Sequence, residues 1–280
     1  MDTTTAPLVS VCVLTYNHEH FIRQCLEGIM MQKTDFPFEV IVGEDCSTDK
    51  TASIVAEFEH LYPGVIKPVY QQKNVGGGRN AYECCYPRLS GKYIAICEGD
   101  DYWTDAHKLQ KQVDFLELHN DVVLCFHRVD SVDENDRFLS SQAVSNEVTI
   151  FSSEDIFHIS IPTLSVVFRK CFESAPTEIY NAKSADAFLF GLLATYGKAA
   201  DLGFMGASYR KHKGGIYSPC KILDQFKQAI ETRKLMQRCN FFGDVQKREL
   251  RKEIIKRKRL YVKYFLKKNE LLNSFKIFMC

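Results

Sequence analysis

The chain has 280 residues, 45% hydrophobic and 25% charged, with a formal net charge of +1; these are globular proportions, and they exclude collagen-like, disordered and disulfide-stapled classes. Its 11 cysteines are odd in number, scattered through apolar runs and never spaced CxxC, so they read as reduced thiols packed as small hydrophobes, with no zinc site. The first residues lack the positive charge of a secretory leader, and no apolar run reaches the roughly 18 residues of a spanning helix, so a cytoplasmic location is expected.

Residues 9–14 are a β-branched apolar run, expected to form a strand covered on both faces. After Thr15, Tyr16 and Asn17, apolar residues recur at helical spacing from Phe21 to Met30. A second buried strand, 38–43, ends in Glu44 and Asp45, and Ser47 or Thr48 is positioned to cap a helix with Ile54, Val55 and Phe58 inward. Residues 65–70 read as a third strand, followed by a glycine loop, 74–80 (NVGGGRN), and a short helix. A fourth strand, 93–97, ends in Glu98, Gly99, Asp100 and Asp101, and a helix follows from Thr104. Strands alternating with helices need crossovers, which implies an α/β fold with a mostly parallel central sheet flanked by helices.

Beyond a strand at 122–126 the pattern loosens. It predicts an acidic loop at 130–136, a short capped helix at 152–158, a strand at 163–168, helical spacing around Phe188 and Leu192, and a basic turn at 209–215. From Ile222 two or three helices finish the chain. Residues 244–268 carry 11 Lys/Arg against three Asp/Glu, a net of +8 that leaves −7 for the remainder. The chain is accordingly divided into a main domain, 1–218, and a basic C-terminal helical region, 219–280.

In an open α/β sheet, ligands sit outside the carboxyl ends of the strands. Three such ends carry polar groups here: Thr15-Tyr16-Asn17, Glu44-Asp45, and Glu98 to Asp101. Clustered carboxylates repel unless a cation neutralises them, and Mg²⁺ takes one or two carboxylates while keeping positions for water and phosphate oxygens. The pattern therefore points to a metal-bound phosphate ligand. Gly76, Gly77 and Gly78 beside Arg79 would let backbone N–H groups and a guanidinium approach that phosphate. Taken alone, an Asp-Asp pair is more often a cap or solvated turn, and a glycine run a flexible turn. Residues 15–21 contain no glycine, so the dinucleotide fingerprint is missing where it belongs and redox chemistry is disfavoured.

In chain order, residues 9–17 (VSVCVLTYN), 39–51 (EVIVGEDCSTDKT), 74–80, 91–101 (GKYIAICEGDD), Ala185-Asp186 and 209–212 (YRKH) together resemble family 2 glycosyltransferases of the GT-A fold, over residues 7–215. The usual acids of that pattern are replaced by Glu44, Glu98 and Ala185, so Asp186 is the only acid of its pair. The resemblance implies an inverting, metal-dependent transferase. It would move a sugar from a nucleoside-diphosphate donor, UDP-linked, to a saccharide or lipid-linked saccharide acceptor in cell-surface polysaccharide or glycan synthesis.

The same resemblance assigns roles. Asp45 binds the nucleotide base, with Thr15, Tyr16 and Arg79 in the same pocket and Asn17, Glu44 and Glu98 completing the donor set. Asp100 and Asp101 bind the donor ribose and hold a Mn²⁺ or Mg²⁺ ion. Asp186 is the general base, and His212, with Arg210 and Lys213, approaches the diphosphate from a late loop. The alternatives are an N-cap for Asp45 and for Asp186, and an ordinary surface turn for His212. Trp103 reads as a sugar platform or a packing anchor. His18 and His20 form an HxH pair, but at the start of the first helix, where ligation is not expected. The basic tail is a solvated helix face or a peripheral contact with an anionic inner membrane surface; nucleic acid is not expected, because the body is acidic. Two rival functions keep the pocket: nucleotidyl transfer, and a catalytically inactive nucleotide-sugar binder tethered by its basic helices.

Overall fold

The structure, a computed structural model, describes residues 6–145, 147–215 and 221–279. In chain order the elements are β1 (Val9–Thr15), α1 (Ile22–Met30), β2 (Phe38–Glu44), α2 (Thr51–Leu61), β3 (Ile66–Tyr70) and α3 (Gly77–Arg79), which runs into a π-helical turn (Asn80–Cys85). Then come β4 (Tyr93–Glu98), β5 (Tyr102–Trp103), α4 (Lys108–Leu118), β6 (Val122–Asp133), β7 (Phe138–Ser141), β8 (Thr149–Phe151) and β9 (Val167–Arg169). The chain continues through α5 (Ala185–Leu193), β10 (Lys198–Lys211), α6 (Ile222–Arg238), α7 (Asp244–Lys267) and α8 (Leu271–Met279).

One sheet runs β3-β2-β1-β4-β9-β6-β10-β5, with β7 on β6 and β8 on β10. Strands β1 to β4 pair in parallel, as do β6 and β10, and β9 joins these two blocks antiparallel to both. Period-2 alternation sorts the side chains. Val9, Val11 and Val13 of β1 and Tyr93, Ala95 and Cys97 of β4 pack against α1, α2 and α4. Cys12 and Ile94 face the other layer, built from the π-helical turn and α5 and closed by Met236, Cys239, Phe242 and Leu250. Glu98, in phase with Ile94, shares that second face. The boundary expected at residue 218 lies outside the described residues, and α6 and α7 pack into the same core as α5. A smaller cluster of Ile230, Ile254, Tyr261, Phe265 and Ile277 joins α6, α7 and α8. None of the described helices is long and apolar enough to cross a membrane, and the nine cysteines among the described residues are free.

Several expectations are corrected. The segment 130–136 is not a loop throughout, since β6 continues to Asp133 in register with β10 on one side and β7 on the other. Tyr209, Arg210 and Lys211 likewise end β10 instead of forming a turn. In both cases pairing with a distant strand supplies backbone hydrogen bonds that the polar local sequence does not signal. Helix α2 starts at Thr51, whose N–H donates to Asp49 Oδ1 at 2.9 Å; Ser47 Oγ instead accepts the Asn17 N–H at 3.0 Å. The strand expected over 163–168 is a 3-10 turn (Thr163–Ser165) followed by β9.

Trp103 is a packing anchor, not a sugar platform. It is 1% exposed, and its indole N–H donates to the Leu164 carbonyl at 2.9 Å. Lys108 Nζ sits 4.0 Å over its ring, buried and without a hydrogen-bond partner among the described residues, and burial pushes the amine down to about 7. A lysine whose folded pKa is depressed weakens the fold wherever the unfolded chain holds the proton, most below pH 7 and progressively less toward its ordinary value near 10.5. Lys108→Met is therefore expected to raise the melting temperature at pH 7, with a gain that shrinks as thermal scans move toward pH 10. A gain independent of pH would reject this account.

Candidate active site

A cleft of about 1350 Å³ opens along the second sheet face, and Thr15, Asp45, Glu98, Asp100, Asp101 and Asp186 all line it. The three strand ends expected to share a crevice do so. At the end of β1, Asn17 takes a left-handed φ of 55°, a conformation that asparagine tolerates better than most residues. Its Oδ1 accepts the Thr48 N–H at 2.8 Å, and the His18 N–H donates to Thr51 Oγ1 at 2.8 Å. The loop after β1 is thus tied to the loop after β2, and His18 is turned inward.

The other half of the site comes from the antiparallel pairing of β10 with β5, Ala207 opposite Trp103 and Ser208 opposite Tyr102. That register carries the end of β10 alongside the Asp100-Asp101 turn. The Arg210 N–H donates to Asp101 Oδ1 at 2.7 Å, and Arg210 Nε to the Asp100 carbonyl at 3.0 Å. Two residues on, His212 Nε2 lies 2.9 Å from Asp100 Oδ2, and His18 Nε2 lies 3.9 Å from the same oxygen. The Phe21 ring packs 4.7 Å from the His212 ring. The ligand-capable atoms of His18, Asp100 and His212 all lie within 4.8 Å of one another.

The charges follow from this geometry. Burial alone would raise the Asp100 carboxyl, but the hydrogen bond with His212 and the nearby His18 hold it below its ordinary value. Burial lowers the pKa of His18 despite the neighbouring Asp100, which favours the neutral imidazole that binds metals. His18 Nδ1 is 3.3 Å from Thr15 Oγ1, a partner that orients the ring and frees Nε2. Glu98 is pushed up to about 8 by burial and by the charges of Asp100 and Asp186, and its Oε2 is buried without a partner among the described residues. Burial, then Asp100 and Glu98, raise Asp101 well above the carboxylate range. Burial also raises Asp186, in the first turn of α5. Two imidazoles beside a carboxylate, in a neighbourhood rich in acids, fit a divalent cation.

Gly99 makes this packing possible, since a Cβ there would stand 2.7 Å from Thr15 Oγ1 and 3.0 Å from His18 Nδ1. Gly99→Ala is expected to displace the His18 ring and weaken Mn²⁺ binding about tenfold or more, as measured by electron paramagnetic resonance titration. Unchanged affinity would show that His18 does not contribute.

Tyr16 lines the cleft and is 40% exposed. Asp45 holds the glycine loop, its two carboxylate oxygens accepting the Val75 and Gly76 N–H groups at 2.7 and 2.9 Å; it does not cap α2. Three of the expected donor-binding residues are used locally. Asn17 ties two loops, Glu44 Oε1 accepts the Ser47 N–H at 2.9 Å, and Arg79 pairs with Glu83 at 3.3 Å across one helical turn. Arg210 faces Asp136 and Gln24.

Sequence reasoning passed over His18. The HxH spacing suggested His20 as its partner, whereas His20 is exposed beside Glu19 and His18 meets Asp100 through the fold. Arg233 and Arg257 also line the cleft, and no local motif announces them.

Comparison with known proteins identifies the family and the fold. An uncharacterised protein of Mycobacterium tuberculosis is 35% identical over 212 residues, which is 75% of this chain and 60% of that protein's length. The putative teichuronic acid biosynthesis glycosyltransferase TuaG of Bacillus subtilis is 33% identical over 114 residues, covering 41% of this chain and 44% of that relative. The crystal structure of Staphylococcus aureus TarS 1-349 in complex with UDP-GlcNAc superposes with a TM-score of 0.62 at 18% identity, covering 96% of this chain and 90% of that one. The mannosyltransferase PcManGT from Pyrobaculum calidifontis, in complex with GDP-Man and Mn²⁺, gives 0.64 at 16% identity, covering 99% and 75%. The fold is thus that of the GT-A glycosyltransferases. The family model described as Glycosyl transferase family 2 matches residues 10–175, more than half of the chain, and the protein belongs to that family.

Proposed function

We propose that the protein is an inverting glycosyltransferase that moves a sugar from a UDP-linked donor to a hydroxyl of a saccharide or lipid-linked saccharide acceptor, in cell-surface polysaccharide or glycan synthesis. The observation that carries this reading is the convergence of His18, Asp100 and His212 beside a cleft that Asp186 also lines. The UDP-GlcNAc bound by TarS and the GDP-Man and Mn²⁺ bound by the Pyrobaculum enzyme support a nucleotide sugar and a divalent ion here.

In this reading Asp100 and His212, joined by His18, hold Mn²⁺ or Mg²⁺, and Asp101 fixes the turn through Arg210. The bound ion supplies Lewis-acid stabilisation of the departing nucleoside diphosphate. Asp45 and the glycine loop, with Thr15 and Tyr16, form the nucleotide pocket, and Glu98 and Asp186 line the same cleft. Asp186 takes the proton from an acceptor hydroxyl as its oxygen bonds to the anomeric carbon. The bond from that carbon to the diphosphate oxygen breaks on the opposite face, which inverts the configuration.

The test is donor turnover. UDP-, GDP- and dTDP-sugars are screened with Mn²⁺, and slow metal-dependent release of UDP is expected. Tight binding without turnover would leave an inactive binder, and pyrophosphate release would replace the proposal with nucleotidyl transfer.

The same reading includes peripheral contact with an anionic membrane surface. Ile255 and Leu260 lie among Lys252, Lys256, Arg259 and Lys263 in an open groove on α7, and α8 exposes Leu271, Leu272, Phe275 and Phe278. Each basic residue near such a surface contributes about 1 kcal/mol, and the apolar side chains add insertion. Co-sedimentation with phosphatidylglycerol vesicles, lost in phosphatidylcholine vesicles, is expected; equal recovery from both would reject it.

A further inference from the structure

The cleft holds a second charged group that the reaction above does not use. Arg233 of α6 and Arg257 of α7 both line it. Arg257 is satisfied within the protein, donating from Nε to Glu253 Oε1 at 2.5 Å and from Nη1 to the Tyr261 hydroxyl at 2.8 Å. Glu253 is shared further, with His158 Nδ1 at 2.8 Å and Lys256 Nζ at 3.7 Å. Its charge is therefore already spoken for.

Arg233 is different. It is 9% exposed, and its Nη1 donates to the Ala229 carbonyl at 2.9 Å, yet among the described residues it forms no ion pair. Glu253 and Asp186 act on it only through space, and a buried guanidinium with no carboxylate in direct contact gains from a ligand that pairs with it. Its position relative to the reaction centre is fixed, because the neighbouring Thr232 Oγ1 accepts the Ser184 N–H at 3.1 Å, two residues before Asp186. Burial, then Arg257, depress it to about 10, with Glu253, Tyr261 and Asp186 opposing, so it is a cation at neutral pH. Arg233 and Asp186 line the same cleft, and Asp186 is among the charges that act on Arg233.

We propose that Arg233 binds an oxyanion carried by the acceptor, a phosphoryl or carboxylate group on the sugar chain whose hydroxyl faces Asp186. This rests on the transferase reading. A planar guanidinium presents paired donors that match two oxygens of either group, which gives both affinity and orientation. An acceptor anchored in this way would have its reacting hydroxyl oriented next to the base, so a neutral acceptor would be used poorly.

The test uses the full chain and four probes at constant ionic strength: glucose, glucose 6-phosphate, glucuronate and inorganic phosphate, with UDP binding in Mn²⁺ measured in parallel. Calorimetry and thermal shift on the unsubstituted protein are expected to detect both sugar anions, with little effect of glucose and a weaker effect of inorganic phosphate. Arg233→Gln is expected to lose at least about 30-fold in affinity for the sugar anions, while Arg233→Lys retains part of it.

Equal binding of glucose and glucose 6-phosphate, or unchanged anion binding in Arg233→Gln, overturns the proposal. Inorganic phosphate acting as strongly as glucose 6-phosphate leaves a free-anion site and also overturns it. Parallel loss of UDP would assign Arg233 to the donor diphosphate or to the fold. If Arg233→Gln does not fold, the probe series on the unsubstituted chain and on Arg233→Lys decides. Anion binding through Arg233 in a protein that neither binds nor hydrolyses any nucleotide sugar would sink the transferase reading and not the anion site.

Discussion

Asp100→Ala is expected to reduce Mn²⁺-dependent UDP release by about 100-fold or more, the scale seen when a preorganised electrostatic group facing a developing negative charge is removed. Three features make Asp100 the residue with the largest effect. Among the described residues it is the only carboxylate grouped with both imidazoles, at 2.9 Å from His212 and 3.9 Å from His18. The His212 contact holds its carboxyl in the ionised form against the effect of burial. Without it, the cluster of His18 and His212 loses its carboxylate ligand. His212→Ala should follow the same direction with a smaller loss, since Asp100 and His18 remain. Mn²⁺ affinity, read by electron paramagnetic resonance, should fall in both variants while the melting temperature of the metal-free protein stays close to that of the parent. Full metal affinity in Asp100→Ala would remove the basis of the proposed site.

Asp186→Asn is expected to lower transfer by a factor of about 100 to 10,000, the range of general-base contributions, with UDP affinity retained. The substitution keeps the shape of the side chain and removes only its capacity to take a proton. Burial raises the Asp186 carboxyl from its ordinary value. The sign follows directly: the base is active when ionised, so the rate falls as pH drops through the folded pKa, at a higher pH than an exposed aspartate would give. That acidic limb should vanish in Asp186→Asn, leaving a low rate that does not depend on this group. Loss of donor binding together with transfer would instead assign Asp186 a structural role at the start of α5.

Much of this architecture is legible in the amino-acid sequence. Apolar runs such as 9–14 and 38–43 marked the buried strands, and the acids following them marked the strand ends, because hydrophobic periodicity reports directly on backbone state and on burial. Reading failed where polar residues sit in long paired strands. Asp130 to Asp133 and Tyr209 to Lys211 look like loop, but their hydrogen bonds come from a partner strand far away in sequence. Trp103 is ambiguous in sequence for a related reason, since its burial depends on partners such as Leu164, far away in the chain.

The sequence by itself determined the α/β class, the positions of the strand ends and the acidic character of the cleft, since each is a property of a few adjacent residues. Only the tertiary structure decided that His18 and His212, separated by most of the chain, meet on Asp100, that Glu44 and Arg79 are occupied locally, and that Arg233 shares the cleft with Asp186 and forms no ion pair among the described residues. Those facts depend on which strands pair and in what register. Register is set by the packing of the whole sheet, so no local window contains it.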